Sequence, residues 1–320
     1  MHHPSSPPGR RRSRSPRLRQ RALVVPLTLA AMVAAGCGSS ESTPPRADAS
    51  LLPLGDGRVS DRPEVGSVFS CQTRFPRNAP GAFRDGEWIQ GDQWAPQGKP
   101  TVDGEVEWPN AEISIAVEGS ERVVTANGLP SHSTGSFPIS PDDDAYAYDR
   151  NPNRISEQQV LLRLPASPTA AAEPSCVPGG MIGFTLTGAA LYNALDAQGR
   201  DAAAHEIQDS CDGHPEKNGQ YHYHSLTDCI DDSSGDAGGH SDLFGFALDG
   251  FGIYGPRDSG GDALTNAGLD ACHGHTGPVE VDGRAKTVYH YHFTEEYPYT
   301  LGCFTGDPVE LPGTPPGGRP

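Results

Sequence analysis

Three observations predict an all-β domain, a sandwich or irregular barrel stapled by disulfides, with long loops and little helix. Helical periodicity is almost absent, and 39 Gly and 31 Pro in 320 residues interrupt the chain every few positions, which suits short strands joined by turns. The apolar stretches that do occur are short, and several alternate with polar residues at the two-residue period of a strand. Six cysteines remain once Cys37 is set aside, an even number that reads as a disulfide framework on an exported chain.

The address is written at the start. Residues 1–36 hold seven arginines, from Arg10 to Arg21, and no acidic residue; an apolar run from Ala22 to Ala35 and then Gly36-Cys37 follow. A positive region, a short apolar core and a small-residue cleavage site make a secretory signal peptide. The run falls short of the roughly 20 apolar residues of a spanning helix. Cys37 after Ala34-Ala35-Gly36 resembles a bacterial lipobox, with Cys37 as the acylated residue and Gly38-Ser39-Ser40 opening a tether. The expectation is an extracytoplasmic protein held on the bacterial cell membrane through lipidated Cys37. The arginine cluster lacks a close apolar consensus for twin-arginine export, so the export route stays open.

Composition divides the remainder. Residues 37–65 are rich in Ser, Pro, Asp and Gly and read as a flexible tether; residues 306–320 contain four Gly and five Pro and read as a disordered tail. Residues 66–305 are then one domain by size. Losing seven arginines and no acid with the signal moves the formal charge from −17 to −24. That balance excludes nucleic-acid binding through counterion release.

In chain order, 111–117 alternates as a half-buried strand, Gly119-Ser120 turns it, and 122–125 returns as the second arm of a hairpin. Val160 to Leu164 is a further strand, and 181–186 and 244–248 look alike. Asp249-Gly250 marks a tight turn into 252–255. Residues 201–207 suit a turn or two of helix. Among the cysteines, Cys71, Cys176, Cys211, Cys229, Cys272 and Cys303 allow fifteen pairings. The absence of a C-x-x-C pair favours disulfides over thiolate metal ligation.

The most informative stretch is Tyr221-His222-Tyr223-His224, which recurs as Tyr289-His290-Tyr291-His292. Asp209-Ser210-Cys211-Asp212-Gly213-His214 precedes the first copy and Asp270-Ala271-Cys272-His273-Gly274-His275 the second; Cys229 and Cys303 follow. We read a pseudo-duplication over 209–229 and 270–303, which argues for one local bridge per unit, Cys211–Cys229 and Cys272–Cys303, leaving Cys71 with Cys176. On a strand His222 and His224 share one face and the tyrosines the other, whereas a helix would turn residues two apart by about 200°. Two copies side by side would bring four imidazoles together, as a metal site or a hydrogen-bonded polar core.

These segments, with 194–201, 245–255, 297–304 and, upstream, Asn127-Gly128-Leu129-Pro130 and Asn151-Pro152-Asn153, resemble the YHYH domain family of secreted and lipid-anchored bacterial proteins over about residues 105–305. The resemblance implies the address and the family and transfers no reaction or ligand.

The residues point first to a transition metal. His222, His224, His290 and His292, with His214, His275 and His273 nearby, are imidazole donors suited to copper or zinc, and Asp212 or Asp249 could complete the set. A metal-dependent hydrolase using Glu206, Asp249 or Glu216 as acid or base is the second reading, weakened by the lack of a G-x-S-x-G or H-E-x-x-H motif. The third is a metal-free domain recognising envelope glycans or proteins through Tyr221, Tyr223, Tyr289, Tyr291, Tyr297, Tyr299 and Trp108. Tyrosine in strands more often packs half-buried with its hydroxyl bonded outward. The acidic loops at Asp142-Asp143-Asp144 and around Asp228, Asp231, Asp232 and Asp236 offer oxygen donors for calcium but match no EF-hand, and His132 reads as a surface-loop residue.

Overall fold

The computed structural model describes residues 51–76 and 81–311; Cys37, the signal segment and residues 312–320 lie outside them. The domain is all-β, and its only α-helical pieces among these residues are single turns, α1 (Ala202–His205) and α2 (Ser233–Asp236). Among the described residues no helix is long and apolar enough to cross a membrane.

One eight-stranded sheet positions everything that follows. Its strands are β1 (Met181–Thr185), β2 (Ala190–Tyr192), β3 (Gly213–Pro215), β4 (Tyr221–Tyr223), β5 (Leu243–Ala247), β6 (Gly252–Tyr254), β7 (Gly274–Val281) and β8 (Arg284–His292). Their spatial order is β3-β4-β2-β1-β5-β6-β8-β7. Read from the centre outward, the second half repeats the first. β1 and β5 pair antiparallel, with Phe184 opposite Phe246. Each then pairs antiparallel with its own neighbour, Gly183 opposite Leu191 and Gly245 opposite Ile253. β4 and β8 add in parallel, and β3 and β7 close the edges antiparallel.

The duplication is therefore longer than the cysteine and histidine echo suggests. Gly183-Phe184-Thr185-Leu186-Thr187-Gly188 aligns with Gly245-Phe246-Ala247-Leu248-Asp249-Gly250, and Leu191-Tyr192 with Ile253-Tyr254. The two alike strands of the sequence are the pair at the centre. Their glycines are needed there: a Cβ on Gly245 would stand 2.3 Å from the Phe184 carbonyl oxygen, and one on Gly183 2.8 Å from that of Phe246. Close backbone approach and a register shift next to each glycine explain why no side chain is tolerated.

The expected hairpin forms from Ile113–Glu118 and Glu121–Ala126, and Val160–Pro165 extends it into a three-stranded sheet. Its inward residues Val124, Leu162 and Leu164 belong to the main apolar core, and the Arg122 guanidinium lies 4.2 Å over the Phe246 ring of β5. α1 starts where expected because the Asp201 carboxylate accepts from the Ala204 N–H. All three disulfides pair as the repeat argues: Cys71–Cys176, Cys211–Cys229 and Cys272–Cys303.

Two boundaries differ from the composition reading. Residues 51–65 are packed against the domain: Leu52–Pro53 pairs with Gln93–Trp94, Leu54 is buried, the Gly55 N–H donates to Asp201, and Asp56 meets His205. Residues 306–311 also dock, the Gly306 N–H on Asp249 and the Val309 N–H on the Leu248 carbonyl. Composition fails here because both segments are held by backbone and carboxylate hydrogen bonds to buried partners rather than by long apolar runs.

Candidate metal centres

In the first copy, β3 and β4 set His214 directly opposite His222, and His224 follows on the same face two residues on. The tyrosines take the other face, as alternation requires, and both are fully buried. The His222 Nδ1 lies 3.1 Å from the Gln220 carbonyl oxygen and the His224 Nδ1 2.5 Å from that of Asn193. A carbonyl only accepts, so each Nδ1 carries the proton and each Nε2 presents a lone pair. Those two Nε2 atoms face one another at 3.1 Å. His214, 3 % exposed, has no hydrogen-bond partner on either ring nitrogen. Burial pushes all three imidazoles below the usual histidine range, His224 to about 4, so none is charged near neutral pH.

A carboxylate stands beside this trio. The Glu206 Oε2 is 3.5 Å from the Nε2 of His214 and of His224. Glu206 sits just past α1, and Lys99 anchors its backbone by donating from Nζ to the Ala203 and Glu206 carbonyls and to the Gln208 side chain. Desolvation raises the Glu206 carboxyl well above its ordinary value and lowers Lys99 to about 8.

The second copy reproduces the frame. β7 and β8 place His275 opposite His290, with His292 two residues along. The Nδ1–H of His290 donates to the Val288 carbonyl at 3.0 Å and that of His292 to the Gly255 carbonyl at 2.6 Å. The His275 Nε2 lies 3.1 Å from that of His290 and 3.2 Å from that of His292. A fourth imidazole joins them. The His240 Nδ1–H donates to the Ser241 carbonyl at 2.7 Å, and its Nε2 is 3.2 Å from the Nε2 of His290. Donor atoms of His240, His275, His290 and His292 all fall within 4.8 Å of one another, as do those of His214, His222 and His224. A tetrahedral ion with metal–nitrogen bonds of about 2.0–2.1 Å has donor–donor edges of about 3.3–3.4 Å, close to the 3.1–3.2 Å that separates the Nε2 atoms of His222 and His224, of His240 and His290, and of His275 from His290 and His292.

The expectation that His222, His224, His290 and His292 meet in one site is corrected. Four strands stand between β4 and β8, about 24 Å across the sheet at the usual strand spacing. The copies build two separate centres, each completed by its own hairpin partner, His214 or His275.

Other candidates fall elsewhere. His273 is buried at a positive φ of 71° and pairs with the Thr294 hydroxyl, away from its neighbours' cluster. Asp249 is no ligand: it takes the Tyr291 hydroxyl on the tyrosine face. Asp212 occupies the turn at φ 60° in the position matching His273. Asp209 and Asp270 are the structural acids, each bonding two N–H groups of its D-x-C-x-G-H turn and the first tyrosine hydroxyl of its tetrapeptide. Glu216 bonds the Asn218 N–H in its own turn. Asp143 and Asp232 cap single helical turns, which uses the acidic loops structurally. Tyr221, Tyr223, Tyr291, Tyr297 and Tyr299 are all buried, so they form no exposed platform. His132 is no loose loop residue; its Nε2 bonds the Tyr223 hydroxyl. It lies near Cys211 and Cys229, whose sulfurs are committed to a disulfide.

Two residues escaped the sequence. His240 lies outside the duplicated units, in Gly238-Gly239-His240-Ser241, and nothing local marks it. Glu206 reads from the sequence only as an acid or base; its place beside the imidazoles depends on α1 and Lys99.

The family model described as YHYH protein matches residues 161–266, which takes in the first centre and His240 and ends before His275, His290 and His292. No curated protein and no solved structure matches.

Proposed function

We propose that this chain, a member of the YHYH family, binds two transition-metal ions, one in each copy of its duplicated unit, with zinc or copper as the cations its donors suit. What carries the reading is the tautomer. Backbone carbonyls hold the Nδ1 protons of His222, His224, His240, His290 and His292, so the unprotonated Nε2 atoms of His222 and His224 face each other at 3.1 Å, and those of His240 and His290 at 3.2 Å, with nothing to donate between them. Facing lone pairs in a buried setting repel unless a cation lies between them, and burial disfavours a proton in that role. The hydrogen-bonds to carbonyls are also the outer-shell contacts that orient metal-bound imidazoles.

The role is binding or sequestration at the outer surface of the cell membrane, with Cys37 as the anchor. Inductively coupled plasma mass spectrometry on untagged mature protein is expected to give about two metal equivalents per chain, falling to about one in His222→Ala and in His290→Ala. A metal-free wild type, even after supplementation, sinks the reading. For the anchor, Cys37→Ser is expected to move the protein from the membrane fraction to the medium; an unchanged membrane fraction rules it out.

A further inference from the structure

The duplication supplies three imidazoles to each centre, but the fourth donor differs. In the second copy it is the His240 imidazole; in the first the Glu206 carboxylate stands 3.5 Å from the Nε2 of His214 and of His224. We propose that Glu206 is the fourth ligand of the first centre, making it a closed three-imidazole, one-carboxylate site for a divalent cation, distinct in charge and exchange rate from the all-imidazole second centre. The proposal rests on the reading of both clusters as metal sites.

The geometry supports it in two ways. The Glu206 Oε2 is equidistant from two of the three Nε2 atoms, too far at 3.5 Å for good hydrogen bonds and close to the edge of a metal tetrahedron. His214, buried and without a partner on either nitrogen, faces the same space. A buried carboxylate stays ionised only beside a positive partner, and the Lys99 ammonium is turned to carbonyls and Gln208 instead. A divalent ion bound by three neutral imidazoles and one carboxylate keeps a net single positive charge, whereas four neutral imidazoles leave the full charge of the ion.

Access differs too. His214, His222 and His224 are each 3 % exposed, and Glu206 9 %. In the second centre His290 and His292 are fully buried, but His240 and His275 are partly exposed. Gly277 adds space there: a Cβ on it would come within 3.3 Å of the His290 ring and 3.5 Å of the His275 Nε2. Closed four-coordinate centres are the structural type, and an open flank permits exchange. The first centre holds its ion while the second trades it.

The test uses the mature chain with His240→Ala and His275→Ala, which removes the second centre. Cobalt(II) is expected to bind at one equivalent with the visible absorption of a tetrahedral nitrogen–oxygen site. Adding Glu206→Gln should change that spectrum and weaken cobalt and zinc by more than about 100-fold, beyond the roughly 10–100-fold of losing an outer-shell partner. Silver(I), a soft monovalent probe, should change far less. Glu206→Gln in the otherwise native chain should still bind one cobalt at the second centre, which shows that the variant folds. In the native chain a chelator should remove metal in two phases, the slow one absent from Glu206→Gln. Cobalt bound with unchanged spectrum and affinity in the Glu206→Gln variant overturns the carboxylate ligand and leaves the metal reading standing. No cobalt in the two-histidine variant overturns both.

Discussion

Stripping metal with a strong chelator is expected to lower the melting temperature of the mature protein by about 15–30 °C. The magnitude follows from linkage. An ion present at about 1,000 times its dissociation constant stabilises the folded state by about 4 kcal/mol, so two sites supply about 8 kcal/mol. In a domain of this size each kcal/mol moves the midpoint by about 2–4 °C. The effect is large because the apo form leaves lone pairs opposed at 3.1 Å between His222 and His224 in the first copy and at 3.2 Å between His240 and His290 in the second. His222→Ala with His290→Ala should melt low and be indifferent to the chelator. Coincident melting curves for wild type with and without chelator would mean that the imidazoles form a hydrogen-bonded core and hold no ion.

The second large effect concerns the Cys71–Cys176 bridge. Cys71–Cys176 closes a loop of 105 residues, against 31 for Cys272–Cys303 and 18 for Cys211–Cys229. In the chain-entropy account a loop near 100 residues is worth about 4.7 kcal/mol and one near 15 about 3 kcal/mol. Cys71→Ser with Cys176→Ser is therefore expected to cost about 4–5 kcal/mol in urea unfolding, with metal content unchanged. The bridge ties the N-terminal segment to the domain beside the Ser70–Val177 contact and the Cys71 N–H bond to the Val177 carbonyl. A loss below about 1 kcal/mol would show that these contacts, with Gly55 and Asp56 on α1, hold the segment unaided.

The fold and the chemistry were legible to different depths. Alternation placed His222 with His224 and His290 with His292 on shared faces, because a strand's period is a local property. The cysteine pairing followed from the repeat for the same reason. The number of centres did not follow, since β4 and β8 are kept apart by β1, β2, β5 and β6, whose own duplication is carried by only a few glycines and aromatics. Fourth donors were least visible. Glu206 and His240 arrive from turns whose placement is set by Lys99 and by the Asp232 contacts to Ser241 and Asp242, none of which has a sequence period. Residues 51–65 read as a tether by composition yet pack, because a polar segment can be anchored by two buried groups, Asp201 and His205, that composition does not register.

The antiparallel junction of β1 with β5 has the form of a contact between two identical subunits related by a twofold axis. Cut there, each half would expose an unpaired edge, an invitation to join other chains. A true homodimer solves that problem but obliges both halves to carry the same residues everywhere. One continuous chain keeps the joined sheet and lifts the obligation. That freedom is what allows a carboxylate to stand beside one histidine cluster and a fourth imidazole beside the other, so a single small domain carries two unlike sites on one frame.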